Sequence, residues 1–184
     1  PAASHPQPNS QGRLAQATDI LFCPGGATGK TRAGAPPFPP RSSCPRPSRA
    51  LVDASEERRL MAEGALLFNA GRFFDCHEVW EDVWNAQPPA ERQFLQGLIQ
   101  IAVGCEHFNR GNLQGAAALL ERGLRKIRKY GSRHRGVRLA QLDRDASAAL
   151  GAIRLVQTKQ AASASVRLPT VDFDAAAFVP AGPA

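Results

Sequence analysis

The hexapeptide Phe68-Asn69-Ala70-Gly71-Arg72-Phe73 recurs 40 residues later as Phe108-Asn109-Arg110-Gly111-Asn112-Leu113, and this repeat constrains the fold more than any other feature of the chain. At the same offset of 40, Met61 matches Ile101, Gly64 matches Gly104, Trp80 matches Leu120 and Trp84 matches Leu124. Each copy sets a glycine between two apolar-periodic stretches, where a left-handed residue ends one helix and turns the chain into the next. Two antiparallel helical hairpins of one design follow. Tetratricopeptide-like arrays repeat that arrangement at a somewhat shorter period.

Around the hairpins the punctuation is helical throughout. Asp53-Ala54-Ser55-Glu56 offers an N-cap with a carboxylate three positions on, and Leu60, Met61, Gly64, Leu67 and Phe68 then share one face, predicting a first helix to about Ala70. Arg72 to Asn85 forms the second. After Pro88-Pro89, the stretch from Ala90 to about Asn109 is apolar on most sides and belongs in the centre. Asn112 caps a fourth helix with Ala117, Leu120, Leu124 and Ile127 inward, and Leu139, Leu142, Ala146, Leu150, Ile153 and Val156 mark a fifth. Leu168-Pro169-Thr170-Val171-Asp172-Phe173 reads as an extended strap packing back. The expected fold is all-α, a bundle of about five helices, with residues 53–175 as the helical domain and 176–184 as a C-terminal tail.

Ten of the fifteen prolines fall before residue 50, and Pro36-Pro37-Phe38-Pro39-Pro40 continues neither a helix nor a central strand. Residues 1–52 are therefore expected to be a disordered tail. Their acid-poor composition fits an organellar transit peptide, a native tail or a mis-assigned start equally. Pro24-Gly25-Gly26-Ala27-Thr28-Gly29-Lys30-Thr31 imitates a phosphate loop but has Pro24 where the motif needs glycine. Six of the basic residues stand in this tail against Asp19 alone, so of the formal net charge of +7 only +2 belongs to residues 53–184. That near-neutral balance argues against a nucleic-acid partner. With no apolar run approaching the roughly 20 residues that cross a bilayer, the expectation is a soluble protein without a membrane partner. It is cytoplasmic, or organellar if residues 1–52 are a transit peptide. Cys76 and Cys105 lie in apolar helical stretches and read as buried free thiols.

The chemistry-bearing residues concentrate in the second helix. Phe73, His77, Trp80 and Trp84 recur in steps of four, three and four, so His77 points where the tryptophans point; Glu81 stands one turn beyond it and Glu78 beside it. Gln96, Gln100, Val103 and His107 form a similar stripe on the third helix, placed to face His77 and Glu81. Where one hairpin carries His77 or His107, its sister carries Ala117 or Leu67, so each imidazole is expected to have a hydrogen-bond partner.

These residues carry a resemblance. Leu67 to Trp84, followed by Phe94-Leu95-Gln96-Gly97-Leu98-Ile99-Gln100-Ile101-Ala102, His107, Arg110-Gly111-Asn112 and Gly115-Ala116, resembles the helical family catalogued as domain of unknown function 309, over roughly Ser55 to Tyr130. The resemblance implies an all-α bundle of modest size with no established activity; naming within the family points to a metal-dependent hydrolase.

Two readings follow from the residues. In the first the chain is a binding or scaffold-like bundle whose internal polar pocket draws on His77, Glu78, Trp80, Glu81, Trp84, Gln96, Gln100 and His107, with a small molecule or a protein as partner. In the alternative, His77, Glu81 and His107 hold a divalent metal such as zinc, iron or manganese, and an unfilled position activates water. The His-Glu-x-x-Glu spacing lacks the second histidine of the zinc-protease motif. A run of Arg122, Arg125, Lys126, Arg128, Lys129, Arg133, Arg135 and Arg138 without an acid crosses the end of the fourth helix and reads as a solvated basic end.

Overall fold

The computed structural model describes residues 53–180. Among these residues five α-helices follow one another: α1 Ala54–Asn69, α2 Phe73–Ala86, α3 Pro89–Asn109, α4 Leu113–Ile127 and α5 Leu139–Gln157. Among the described residues there is no strand, only isolated bridges from Val137 to His134 and Phe173. The phosphate-loop-like segment and the expected tail lie outside the described residues.

The repeat is reproduced bond for bond in the two turns. Gly71 and Gly111 take φ of +74° and +77°. Arg72 N donates to Leu67 O and Gly71 N to Phe68 O at 2.9 and 3.0 Å; Asn112 N donates to His107 O and Gly111 N to Phe108 O, both at 2.9 Å. This paired closure satisfies the last helical carbonyls, and the left-handed residue it requires is why both turns carry glycine. Helix α1 begins where Asp53 Oδ1 accepts from the backbone of Ser55 and Glu56. The Glu56 side chain departs from the expected reciprocal cap and pairs with Arg59 instead.

Each helix packs on its successor, through glycine where backbones come closest. A Cβ at Gly64 would stand 2.5 Å from the Trp80 indole Cδ1, and one at Gly104 would meet Leu120 at 3.1 Å, so equivalent positions of the two hairpins are built alike. Gly97 and Gly123 bring the α3 and α4 backbones together, since a Cβ at Gly123 would lie 2.8 Å from Gly97 O. Phe94, Leu95, Leu98, Ile99, Ile101, Ala102 and Cys105 are wholly buried, which makes α3 the central helix the sequence predicts. On α4 the inward alanine is Ala116, with Ala117 only half-buried.

The strap closes the domain against α1. Asn69 Nδ2 donates to Val171 O and Asn69 Oδ1 accepts from Val171 N, both at 2.8 Å, so one side chain replaces a strand neighbour. Packing continues past residue 175, because Phe178 is buried beneath the guanidinium groups of Arg58 and Arg135.

Candidate functional site

The α2 helix divides into a core face and an acidic outer face. Phe73, Cys76, Val79, Trp80 and Val83 are buried, while Phe74 is 52% exposed. Trp80, expected among the pocket residues, is wholly buried in the core, stacked on Phe68 at 6.0 Å between ring centroids. Its indole N–H is buried without a hydrogen-bond partner, held over Gly64. Trp84 lies at the margin, donating to Arg92 O at 3.1 Å with the Arg92 guanidinium 5.2 Å above its ring. Burial pushes the Cys76 thiol well up and that of Cys105 likewise, so neither is a thiolate nucleophile at neutral pH.

His77 is buried, and its Nε2 meets Glu81 Oε1 at 3.1 Å one turn on. That hydrogen bond raises the imidazole pKa against the opposing effect of burial. The Nδ1 edge makes no hydrogen bond of good geometry, with only the Phe74 carbonyl acting on it. The Phe74 ring leans over the imidazole at 5.7 Å, and Glu78 stands half-buried nearby. An exposed aromatic, an imidazole and two carboxylates therefore share one edge of α2.

The α3 stripe does not join them as a ligand set. Gln100 Oε1 accepts from Lys126 of α4 at 3.1 Å, and Gln96 is half-buried beside it. His107 Nδ1 pairs with the Asn112 amide at 2.8 Å, while Asn112 Oδ1 caps α4 at Gly115 N, so this histidine serves the second hairpin turn. Burial, then the Arg110 charge, lowers its pKa, which suits a neutral ring accepting from Asn112. Among the described residues no group of three His, Cys, Asp or Glu side chains is placed to hold a metal ion. The proposed set of His77, Glu81 and His107 is thus not assembled: a face shared along one helix does not fix which neighbour the face meets.

Sequence reasoning missed a second polar cluster. Arg135, buried with φ of +46°, forms an ion pair with buried Glu57 of α1 and donates to Gln87 Oε1 at 3.2 Å. Gln87 Nε2 in turn donates to Glu57 Oε1 at 3.1 Å. Glu91 meets His134 Nε2 at 2.9 Å, and the His134 ring packs edge-on against Phe94 at 4.6 Å. Desolvation pulls the Arg135 guanidinium down to about 10, still charged at neutral pH. Arg135 thus departs from the solvated basic end expected for the run from Arg122 to Arg138, and nothing in its local sequence singled it out. A separate groove of about 530 Å³ runs between α1 and the strap, lined by Ala62, Ala65, Leu66 and Asn69 on one side and Thr170 to Phe173 on the other.

The class defined by this geometry is an all-α domain of paired hairpins with a polar edge on α2. Residues 61–119, from α1 through both glycine turns into α4, match the family described as "Domain of unknown function (DUF309)", which bears out the resemblance over that stretch. Among curated proteins, the chain is similar to an uncharacterized protein of Aquifex aeolicus, 28% identical over 95 residues, covering 51% of this chain and 28% of that one. It is also similar to the uncharacterized protein YpuF of Bacillus subtilis, 37% identical over 78 residues, 41% of this chain and 43% of the relative. The chain spans less than half the length of either relative.

Proposed function

We propose that the chain is a binding module that uses the hairpin pair as a rigid scaffold and takes a cationic group at the Phe74–His77–Glu78–Glu81 edge of α2. The observation that carries this reading is the 52% exposure of Phe74 on a helix with four acids and no lysine or arginine. A guanidinium or ammonium gains from a ring face and from carboxylates together. The metal-dependent hydrolase alternative needs convergent ligands, and the placement of His107 at the α4 cap gives it no support.

Fluorescence anisotropy with two labelled probes, an arginine-rich peptide and a glutamate-rich one of equal length, tests the reading. The arginine-rich probe is expected to bind and to weaken with salt, and Phe74→Ala or Glu78→Gln to loosen it about tenfold. Equal binding of both probes, or variants that bind as the wild type does, would overturn it.

A further inference from the structure

A cationic row at the end of α4 has the same sequence spacing as the acidic row on α2. Arg122, Arg125 and Lys129 are exposed and lie at i, i+3 and i+7; Asp75, Glu78 and Asp82, half-buried or exposed, lie at the same intervals. The acidic row rises about 10.5 Å along α2; on the cationic side Arg122 and Arg125 stand on α4 and Lys129 in the 3-10 turn Arg128–Tyr130 that follows it. The two helices occupy sister positions of the repeat, Asp82 answering to Arg122, and both bury the opposite face. One scaffold therefore presents surfaces of opposite sign on sister helices, the cationic row set two turns further along its hairpin than the acidic one.

Among the described residues Arg122, Arg125 and Lys129 enter no ion pair, and of the acidic row only Asp75 does. Lys126 and Lys129 rest on the amide oxygens of Gln100 and Gln93, at 3.1 and 3.2 Å, acceptors that carry no charge. Glu121 is the sole acid between residues 113 and 129, and it pairs with Arg154 of α5. Burial and the neighbouring Arg122, Arg125 and Lys129 charges depress the Lys126 pKa, as expected of crowded, uncompensated cations. On α2, Asp75 pairs with Arg72 but Glu78 and Asp82 enter no ion pair, and none joins α2 to α4 among the described residues.

We infer that the cationic partner is a second copy of this chain, its Arg122–Arg125–Lys129 row docking on the Asp75–Glu78–Asp82 row, with Phe74 receiving the arginine stems. This rests on the reading of α2 as a cation-binding face. Like rows repel, so α2 against α2 and α4 against α4 are disfavoured and the charge pattern selects one orientation.

Sedimentation velocity on the full chain tests it, using wild type, Glu78→Lys/Asp82→Lys, Arg122→Glu/Arg125→Glu, and an equimolar mixture of the two reversed forms. Association is expected at about 50 mM salt and its loss at about 500 mM. Each reversal should weaken self-association at least about tenfold, and the mixture should restore it. Circular dichroism checks the fold, with Arg122→Gln/Arg125→Gln as the milder form. A wild type that stays monomeric, an association indifferent to reversal, or a mixture that fails to re-associate overturns the inference. If the monomeric wild type still binds the arginine-rich probe, the α2 reading stands with another protein as partner; if the probe fails as well, both fall.

Discussion

Trp80 and Gly64 act as one unit, because the indole lies on the space a side chain at Gly64 would fill. Trp80→Ala should lower stability by about 3–5 kcal/mol and Gly64→Ala by about 1–3 kcal/mol, one through a cavity and the other through overpacking. The double variant should cost less than the sum, since the alanine methyl then occupies the vacated space. Urea unfolding of the three proteins measures this; strict additivity would show that the two residues do not share a site. His77 permits a second test. Its pKa is raised by the hydrogen bond to Glu81, above the unfolded value of about 6.5. The protonated pair therefore stabilises the fold below that pH, and its contribution is lost as pH rises through the folded value. Glu81→Gln should destabilise more at about pH 5.5 than at about pH 8.5, by on the order of 0.5 kcal/mol. A penalty that does not change with pH would mean that the protonated imidazole gains nothing from Glu81.

Between elements, the heaviest polar tie is the contact of Arg135, in the α4–α5 connection, with Glu57 near the start of α1. Removing one partner strands a buried charge, so Arg135→Leu should cost about 3–5 kcal/mol, while the double variant Arg135→Leu/Glu57→Leu should recover much of the loss. Thermal melts of the two forms decide it; a double variant less stable than the single would show that Glu57 is not left stranded without Arg135. Helix number, both turns and the central place of α3 were legible in the sequence, because period and glycine position are local signals. The pairing of Arg135 with Glu57 was not, since loop residues have no period and nothing local links positions so far apart. The same limit explains His107: periodicity put it on the face of Gln100, but the Asn112 cap next to it captured the imidazole.

At the scale of the molecule, the hairpins close locally while the strap closes globally. The Asn69–Val171 bonds join residues 102 apart in sequence. Closing a long loop carries an entropic penalty that grows slowly with length but must be met before the contact is made. Amide exchange should therefore be faster at Val171 than at Leu98, with the strap opening while the hairpins hold. Equal protection at both sites would mean that the domain opens only as a whole. The ribosome adds a direction to this order. Both glycine turns emerge and can fold before residue 171 is synthesised, so the face of α1 that carries Ala62, Ala65 and Leu66 lacks the strap until translation of the domain is nearly complete. During that interval whatever else meets the nascent chain competes with the strap for this face.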